Sequence, residues 1–293
     1  MISDEKLVWS NASVNDLTVK YFETDNSTKN LPLVMLPGWP VSAVTLEPLA
    51  NKLAPHMKCF GLNPPGFGGS SVGHSTKHSF AFYVEFLRSF QDQIVRNEKI
   101  NLIGYSTGGV MALLYAHKYP HKVNKLVVYS APYNGSVHFQ EDIKKRPGIA
   151  KLYKCFQNCS PILSLLNFPS IKTWLFNYVF HKYYTEKYPK LFSLHHAYIS
   201  RMISESCCLD IRAAWELAYD LSLHDYSEIA KTVTAKTLII SPSLDEAVNP
   251  TQSHKLAEIL PHAKFVEIWD EDHAGGITEP GKFSQEIIDF LAH

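Results

Sequence analysis

The sequence predicts an α/β fold in which a mostly parallel sheet of eight strands is flanked by helices and interrupted by an all-helical insertion. From Leu31 onward, short apolar runs of β character alternate with longer helical patterns, which is typical of parallel strands joined by crossover helices. Between Pro132 and about Ser227 this alternation stops, and the interval has helical patterns without strands. The 293 residues, 45% of them hydrophobic, are enough for a substantial core.

Eight short segments have the pattern of β-strands. Residues 7–10 and 17–22 are expected to form an antiparallel hairpin at the edge of the sheet. The parallel strands are predicted, in chain order, at residues 33–36, 58–62, 100–103, 126–130, 237–241 and 265–269. Helical patterns follow most of them, at residues 48–54, 80–96, 109–118, 254–259 and 282–291. Parallel sheets bind ligands outside the carboxyl ends of their strands, so a site is expected at that edge.

The helical insertion is dense in aromatic residues. These are Phe168, Trp174, Phe176, Tyr178, Phe180, Tyr183, Tyr184, Tyr188, Phe192 and Tyr198. An insertion of this length has to pack somewhere, and the open carboxyl edge of the sheet is the available surface, so we interpret it as a lid. Most of its aromatic side chains are expected to hold the inserted helices together, and a few are expected to face a pocket.

Charge and terminal sequence limit the class of partner and the compartment. Twenty-eight Lys plus Arg balance twenty-eight Asp plus Glu, without a long run of one sign, which argues against binding to nucleic acid or to an anionic membrane. A neutral or apolar small molecule is the expected partner. The chain has neither a signal-peptide pattern at its start nor a run of about 18 apolar residues, so we expect a cytoplasmic protein without stable membrane insertion.

The five cysteines predict neither a disulfide framework nor a metal site. An odd number in a chain of this size suits a reducing compartment. Cys155 and Cys159 could share a helix face, and Cys207 is adjacent to Cys208, but no histidine spacing completes a zinc site. We expect buried structural thiols, and neither a metal nor a cofactor.

The segment with the clearest chemistry is residues 104–108, Gly-Tyr-Ser-Thr-Gly, between a predicted strand and a predicted helix. A serine hydroxyl is a poor nucleophile in water, so a catalytic serine has to be exposed at a sharp turn beside a base. Gly104 and Gly108 would let the strand and the helix pass close to such a turn at Ser106. The helix amino terminus would favour negative charge beside the serine. The alternative is a glycine-rich turn whose serine only caps the helix.

Four further motifs extend this pattern along the chain. They are residues 36–40, Leu-Pro-Gly-Trp-Pro; residues 63–70, Asn-Pro-Pro-Gly-Phe-Gly-Gly-Ser; residues 241–250, which contain Asp245; and residues 272–276, which contain His273. Together with the element order, they resemble the α/β-hydrolase fold, specifically its serine esterase-like members with a helical cap. The resemblance divides the chain into a core of residues 1–132 and 228–293 and a cap of residues 133–227. The chain order Ser, Asp, His is the order expected for that fold.

Two positions depart from the family pattern. Pro37 stands where histidine is common before the glycine of the oxyanion loop, and Asn63 stands where the next loop commonly begins with aspartate. Neither position does covalent chemistry in the family, so the departures concern the geometry of the oxyanion loop and not the class of reaction.

The catalytic triad is assigned to Ser106, His273 and Asp245. An imidazole near its ordinary pKa of about 6.5 can accept and return a proton at neutral pH, and His273 follows the last predicted strand with glycines behind it. A carboxylate has to hold that imidazole in one tautomer, and Asp245 fits this role. Its competitors are the nearby carboxylates Glu246, Asp270, Glu271 and Asp272.

The oxyanion hole needs backbone N–H donors, each typically worth about 10² to 10³ in rate. Thr107 is expected to supply one, since it follows the nucleophile at the helix amino terminus. The family resemblance points to Trp39 for the other, and Pro40 cannot donate. The Trp39 indole could line the acyl pocket or pack in the core.

The reading that follows is a carboxylic ester hydrolase of EC 3.1.1 type, which cleaves small to medium uncharged esters through an acyl-enzyme. Within the same fold, the alternatives are a carbon–carbon bond hydrolase, which Ala274 after His273 disfavours, an acyltransferase or perhydrolase, and a lipase. The lipase alternative rests on cap residues that could touch a lipid interface, namely Trp174, Phe176, Phe180, Lys172 and Lys182. A low-turnover small-molecule binding protein is the alternative outside enzymes. The oligomeric state stays open.

Overall fold

The computed structural model describes residues 7–25, 28–73, 77–145, 163, 167–168, 172–174, 188–194 and 196–292. Eight strands form one sheet in the order β1-β2-β4-β3-β5-β6-β7-β8. The strands are β1 (Leu7–Val14), β2 (Leu17–Thr24), β3 (Leu33–Leu36), β4 (Cys59–Leu62), β5 (Ile100–Tyr105), β6 (Val123–Tyr129), β7 (Lys236–Pro242) and β8 (Ala263–Ile268). The mostly parallel eight-stranded sheet predicted from the sequence is confirmed.

The amino-terminal hairpin forms the antiparallel edge of this sheet. β1 pairs with β2, which in turn runs antiparallel to β4. From β4 to β8 all pairs are parallel. β3, β4 and β5 are buried along their whole length, as expected for parallel strands covered on both faces. Their carboxyl ends therefore meet at one edge of the molecule, where a ligand site is expected.

Helices cover both faces of the sheet. Within the described residues they are α1 (Glu47–Leu53), α2 (Phe80–Phe90), α3 (Thr107–Lys118), α4 (Gly135–Lys145), α5 (Pro189–Phe192), α6 (His196–Cys207), α7 (Ile211–Leu223), α8 (Ser227–Ala230), α9 (Pro250–Ile259), α10 (Gly275–Thr278) and α11 (Pro280–Ala292). Alternate residues of β5 point to opposite faces: Leu102 packs in the cluster that includes α2 and α3, and Ile103 in the cluster that includes α1 and α11.

The segment 80–96 ends differently from the single helix that its pattern predicts. After α2, residues Gln91–Val95 form a π-helical turn, and Arg96 adopts a left-handed conformation with φ of 57°. The buried Gln91 amide donates to the carbonyls of Asn97 and Glu98 at 3.0 Å each. These bonds from a buried side chain pair two backbone carbonyls just after the helix, and helical periodicity does not predict them.

Between β6 and β7 the described residues contain helices α4 to α8 and no strand. Charged contacts attach α6 to the amino-terminal part of the chain. Arg201 donates to both carboxylate oxygens of the buried Glu47, at 2.9 and 2.8 Å, and Trp9 Nε1 donates to the same carboxylate at 2.6 Å. Lys20 also pairs with Glu205 in this helix at 2.6 Å. The buried Glu47 carboxylate requires charged or hydrogen-bonding partners, and Arg201 supplies one. These contacts anchor α6 to the core.

The aromatic residues of the insertion are only partly described. Tyr188 is buried, and the hydroxyl of Tyr198 donates to the Val44 carbonyl at 3.0 Å, so these two hold the helices to the core. Phe168 and Trp174 are exposed. Outside the described residues lie Phe176, Tyr178, Phe180, Tyr183 and Tyr184, together with Cys155, Cys159 and Lys182. The side chain of Phe192 also falls outside them.

Candidate active site

Ser106 lies at the turn between β5 and α3, with φ of 56° and ψ of −121°. A residue other than glycine in this region is strained, and such strain is concentrated at functional sites. The Ser106 N–H donates to the Tyr129 carbonyl at the end of β6, at 2.8 Å, which fixes the turn against the sheet. The helix that follows begins at Thr107, so its first N–H groups lie next to the serine.

The two glycines of this turn sit where side chains would collide with backbone. A Cβ atom on Gly104 would lie 2.1 Å from the Gly108 carbonyl oxygen, and one on Gly108 would lie 2.5 Å from the Leu36 carbonyl oxygen. Both contacts are far closer than real Cβ atoms approach. The sequence motif therefore meets a steric requirement, because strand, turn and helix pass within contact distance of one another.

Asp245 follows β7, and its carboxylate is buried with hydrogen bonds on both oxygens. Oδ1 accepts the N–H groups of Ala247 and Val248, at 2.9 and 2.8 Å. Oδ2 accepts the Ser130 hydroxyl at 2.7 Å and lies 2.7 Å from His273 Nδ1. Because a carboxylate is acceptor-only when ionised, these neighbours select its charged form.

The ionisation of Asp245 follows from opposing effects. Burial by itself raises the pKa of this carboxyl group, since it penalises the charged form. The nearby His273, its hydrogen bond, the Ser130 hydroxyl and the Val248 N–H all lower it, and their combined effect leaves the pKa of Asp245 below its ordinary value. The group is therefore a carboxylate at neutral pH.

His273 follows β8 on a loop held from two strands. The hydroxyls of Tyr105 and Tyr129 both donate to its backbone carbonyl, at 3.0 and 2.9 Å, and the Tyr105 ring lies 4.8 Å from the imidazole. Nδ1 meets Asp245, which leaves Nε2 as the nitrogen available to a reacting group. The hydrogen bonds of the described residues join His273 to Asp245 but not to Ser106; such bonds often tighten only when substrate is bound.

The other expected residues of the site surround Ser106. A Cβ atom on Gly38 would lie 3.0 Å from Ser106 Cβ, so the loop carrying Trp39 lies against the turn at Ser106. Trp39 and Thr107 both line a small cavity, together with Leu217 from α7. The Trp39 indole N–H donates to the Ala214 carbonyl of α7 at 2.8 Å, so this ring joins the loop of residues 36–40 to the insertion. The Trp39 side chain is 42% exposed, so it does not pack in the core. It lines the cavity and also contacts α7.

The competing carboxylates have other surroundings. Glu246 and Asp270 are exposed. Glu271 is fully buried and pairs with Lys282 and, at 3.5 Å, with Lys190. The Asp272 carboxylate accepts the Ala274 N–H at 2.8 Å, and burial raises its pKa. Among these four and Asp245, only Asp245 contacts the His273 ring.

Four residues of this region were not anticipated from the sequence. Tyr105 and Tyr129 hold the His273 loop, and Ser130 contacts Asp245. His138, on α4, interacts electrostatically with both His273 and Asp245, and burial lowers its pKa. Tyr105 and Ser130 adjoin motifs read in the sequence, but no pattern in the chain indicated that their hydroxyls face residues 115 or more positions away.

Comparison with known proteins identifies the family. A family model described as the alpha/beta hydrolase fold matches residues 32–280. The chain belongs to the alpha/beta hydrolase fold family. This membership accounts for the strand order, the turn at Ser106 and the succession of serine, aspartate and histidine in the chain.

Curated relatives of this α/β hydrolase match over part of its length. A pimeloyl-[acyl-carrier protein] methyl ester esterase from Aeromonas salmonicida is 32% identical over 101 residues, which is 34% of this chain and 38% of the relative. A poly(3-hydroxyalkanoate) depolymerase from Ectopseudomonas oleovorans is 29% identical over 99 residues, 33% of this chain and 34% of the relative. The matched part is thus well under half the length of either relative. The first of these two relatives is named as an esterase and the second as a depolymerase.

Solved structures match over nearly the whole chain. The enol-lactonase from Burkholderia xenovorans LB400 has a TM-score of 0.74 at 17% identity and covers 97% of this chain and 100% of its own. A thermophilic esterase from Thermogutta terrifontis has a TM-score of 0.69 at 16% identity, with 98% of both chains covered. At these identities the likeness concerns the fold. Within the described residues, no helix has the length and apolar character that crossing a bilayer requires.

Proposed function

We propose that this protein is a serine hydrolase of carboxylic esters, with Ser106 as nucleophile, His273 as general base and acid, and Asp245 as the carboxylate that orients the imidazole. The observation that carries the proposal is the buried 2.7 Å contact between His273 Nδ1 and Asp245 Oδ2. Ser106, held at φ of 56°, directly follows Tyr105, whose ring lies 4.8 Å from the same imidazole. A solvated turn aspartate, the alternative for Asp245, would not meet an imidazole in this way.

The end of β6 links the three groups. Tyr129 accepts the Ser106 N–H with its carbonyl oxygen and donates its hydroxyl to the His273 carbonyl. The next residue, Ser130, donates to Asp245. The end of β6 therefore contacts nucleophile turn, base loop and acid loop at once, which supports their assignment to a single site.

The reaction follows from these positions. Ser106 Oγ attacks the ester carbonyl carbon while its proton passes to His273 Nε2, and Asp245 stabilises the imidazolium. The imidazolium then returns the proton to the departing alcohol oxygen, which leaves an acyl-enzyme. A water molecule gives its proton to the same imidazole and attacks the acyl carbon, and the acid departs as Ser106 regains its hydrogen.

The oxyanion hole in this proposal consists of the N–H groups of Trp39 and Thr107. Both residues line the same cavity next to Ser106, and Thr107 adds the positive end of α3. The remaining lining is largely apolar and includes Phe67, Met111 and Leu217. Such walls favour small to medium uncharged acyl groups over charged ones.

We also propose the division into a core of residues 1–132 and 228–293 and a cap of residues 133–227. The described part of the cap contributes Leu217 to the cavity and Ala214 as the acceptor of the Trp39 indole. Differences in acyl preference are then a property of cap and oxyanion loop together. The cytoplasmic location expected from the sequence stays a prediction.

The test is steady-state hydrolysis of p-nitrophenyl esters of increasing acyl length by the wild type and by two isosteric or smaller variants. Ser106→Ala is expected to lower kcat by about 10⁶ and Asp245→Asn by about 10⁴, with circular dichroism unchanged. Glu246→Gln, which changes the exposed neighbour of Asp245, serves as the matched control and is expected to keep wild-type rates. Undiminished hydrolysis by folded Ser106→Ala protein would overturn the proposal.

The same panel separates the alternatives. A vinylogous diketone added as substrate reports carbon–carbon bond hydrolysis, and a competing alcohol or hydrogen peroxide reports acyl transfer through the product ratio. We expect ester hydrolysis to dominate, because Ala274 stands where carbon–carbon hydrolases of this fold carry tryptophan. Rates that rise only above the solubility limit of the substrate would instead favour a lipase.

A further inference from the structure

Ser130 occupies a position at the carboxyl end of the sheet that the sequence does not mark as functional. It follows the last residue of β6, its side chain is 1% exposed, and its N–H donates to the Ile240 carbonyl of β7 at 3.1 Å. Its hydroxyl donates to Asp245 Oδ2 at 2.7 Å. Ser130 is thus tied by its backbone to one strand and by its side chain to the carboxylate that follows that strand.

The two oxygens of Asp245 have different partners. Backbone N–H groups of Ala247 and Val248 hold Oδ1, so the plane of the carboxylate is fixed without any side chain. Oδ2 is shared between the Ser130 hydroxyl and His273 Nδ1. A donor on the oxygen that faces the imidazole withdraws negative charge from it, and at a distance of 2.7 Å this effect is substantial.

The backbone of Ser130 gives a second, independent reason to ask what its side chain does. Its φ is 49°, in the left-handed region that favours glycine. A buried serine in this conformation has backbone strain that glycine would not have. The hydroxyl bond to Asp245 is the contact that distinguishes serine from glycine at this place.

We propose that Ser130 is a positioning residue that acts through Asp245: its hydroxyl shares the carboxylate oxygen that faces His273 and so limits how strongly that carboxylate holds the proton-bearing imidazole. The proposal rests on the triad proposed above and adds a fourth side chain to it. The consequence concerns proton transfer. Without the hydroxyl, more negative charge stays on Oδ2, the imidazolium is held more tightly, and His273 gives up its proton only at higher pH.

Other charged and titratable groups also act on this pair and have to be held constant. His138 on α4 interacts with both members, Tyr105 and Tyr129 contact the His273 carbonyl or ring, and Asp272 with Glu271 lies on the same loop. Lys190 of α5 faces Glu271 and lies near Asp272. Because substitutions at Ser130 leave all of these in place, a difference between variants reports on the hydroxyl.

The experiment compares Ser130→Ala and Ser130→Gly with a matched control. Both variants lose the hydroxyl, but glycine accepts a φ of 49° more readily than alanine, so the two differ in backbone strain. The control is Ser241→Ala in β7: Ser241 is equally buried, and its hydroxyl has no hydrogen-bond partner in the described part of the chain. The His273 ring is titrated by NMR in each protein, with His273→Gln assigning the signal and His138→Gln excluding its neighbour, and kcat/KM is measured against pH.

The expected result is the same upward shift in both Ser130 variants. The midpoint of the ring titration and the midpoint of the acidic limb of kcat/KM should both move up by roughly half to one pH unit. At pH values below the midpoints of both proteins, kcat/KM of the variant should therefore be about three- to tenfold lower than that of the wild type. Ser241→Ala should not move either midpoint. Folded Ser130→Ala and Ser130→Gly proteins with unmoved midpoints would overturn the role of Ser130. The NMR titration does not depend on turnover. Failure of the proposed triad, seen in the Ser106→Ala kinetics, can therefore be distinguished from failure of the role of Ser130.

Discussion

At the scale of single residues, Asn63 accounts for one of the two departures from the family pattern. Its side-chain oxygen accepts the Ala43 N–H at 2.6 Å, and its side-chain nitrogen donates to the Gly68 carbonyl at 3.0 Å. The amide therefore joins the segment after the oxyanion loop to the loop of residues 63–70. An aspartate could make the first of these bonds but, when ionised, not the second. Asparagine is suited to this place by having both a donor and an acceptor.

A single-atom exchange tests this reading. Asn63→Asp replaces the donor with a buried carboxylate oxygen that faces the Gly68 carbonyl, and we expect it to lower the free energy of unfolding by about 2–3 kcal/mol at neutral pH. The measurement is urea unfolding. Asn97→Asp, at an exposed position where the described residues give the side chain no hydrogen bond, is the control and should change stability by less than about 0.5 kcal/mol. Equal effects of the two substitutions would contradict the role given to the Asn63 amide.

The ionisation of Asp245 has a consequence for stability against pH. Its folded-state pKa is lowered, so it contributes stability that is present above the unfolded pKa of about 3.9 and is lost as pH falls through the folded value. Asp245→Asn removes this titration. The difference in unfolding free energy between wild type and variant is therefore expected to be largest above about pH 4 and to narrow below it.

Urea unfolding at a series of pH values from about 3 to 6 measures this difference. Asp289→Asn, on the exposed side of α11, provides the comparison and should stay within about 0.5 kcal/mol of wild type at each pH. A gap between wild type and Asp245→Asn that stays constant or widens as the solution is acidified would refute the assignment of a stabilised carboxylate.

At the scale of elements, β5 and β6 present their last tyrosines to the loop after β8. Two hydroxyls on the one carbonyl of His273 fix the backbone of that loop, while the imidazole is hydrogen-bonded to Asp245 and lies 4.8 Å from the Tyr105 ring. The Tyr129 hydroxyl also accepts the Gly276 N–H at 3.1 Å, at the start of α10. β5, which leads into Ser106, and its neighbour β6 thus also fix the backbone position of His273.

Phenylalanine substitutions at the two tyrosines are expected to be unequal. Tyr105→Phe removes one donor to the His273 carbonyl, which keeps the other, and should cost about 1 kcal/mol of stability. Tyr129→Phe removes a donor and an acceptor and leaves the Gly276 N–H without this partner, so it should cost about 2–3 kcal/mol. Thermal and urea unfolding of both variants give the comparison. A loss below about 0.5 kcal/mol for Tyr129→Phe would show that its hydroxyl does not hold the loop as described.

The same scale shows what the pattern of the chain could predict. Periodicity located every strand of the sheet to within a few residues, because parallel strands buried on both faces are continuous apolar runs. It missed the π-helical turn at Gln91–Val95, because the Gln91 amide satisfies carbonyls further along the chain. Where a buried side chain and not hydrophobic spacing determines the end of a helix, the local sequence pattern does not predict that end.

At the scale of the whole molecule, the resemblance of the sequence motifs was enough to predict the family, and the family-model match over residues 32–280 confirms it. The contacts between distant parts of the chain were not predictable. Ser130 meets Asp245 across 115 positions, and the Trp39 indole meets Ala214 across 175. Such contacts depend on how side chains pack once the sheet has formed, which neither spacing nor composition encodes. The proposed assignment of Ser106, Asp245 and His273 could be made from the sequence because each follows a strand whose end is fixed by topology.

The arrangement of core and insertion explains why acyl preference could not be deduced from sequence. The described helices of the insertion meet the core through α6, anchored at Glu47, and through α7, which faces Trp39 and the cavity beside Thr107. Specificity in this account arises where α7 meets the oxyanion loop. The shape of that contact depends on both parts of the chain together.

The proposed mechanism requires Ser106 to be an activated nucleophile, and covalent labelling with a fluorophosphonate followed by peptide mapping tests this. We expect one phosphonate on the peptide that contains Ser106 in the wild type, none in Ser106→Ala, and labelling slowed by at least about 10²-fold in Asp245→Asn, because the imidazole is then held in the wrong tautomer. A folded wild-type protein that stays unlabelled, or a phosphonate found on another residue, would contradict it.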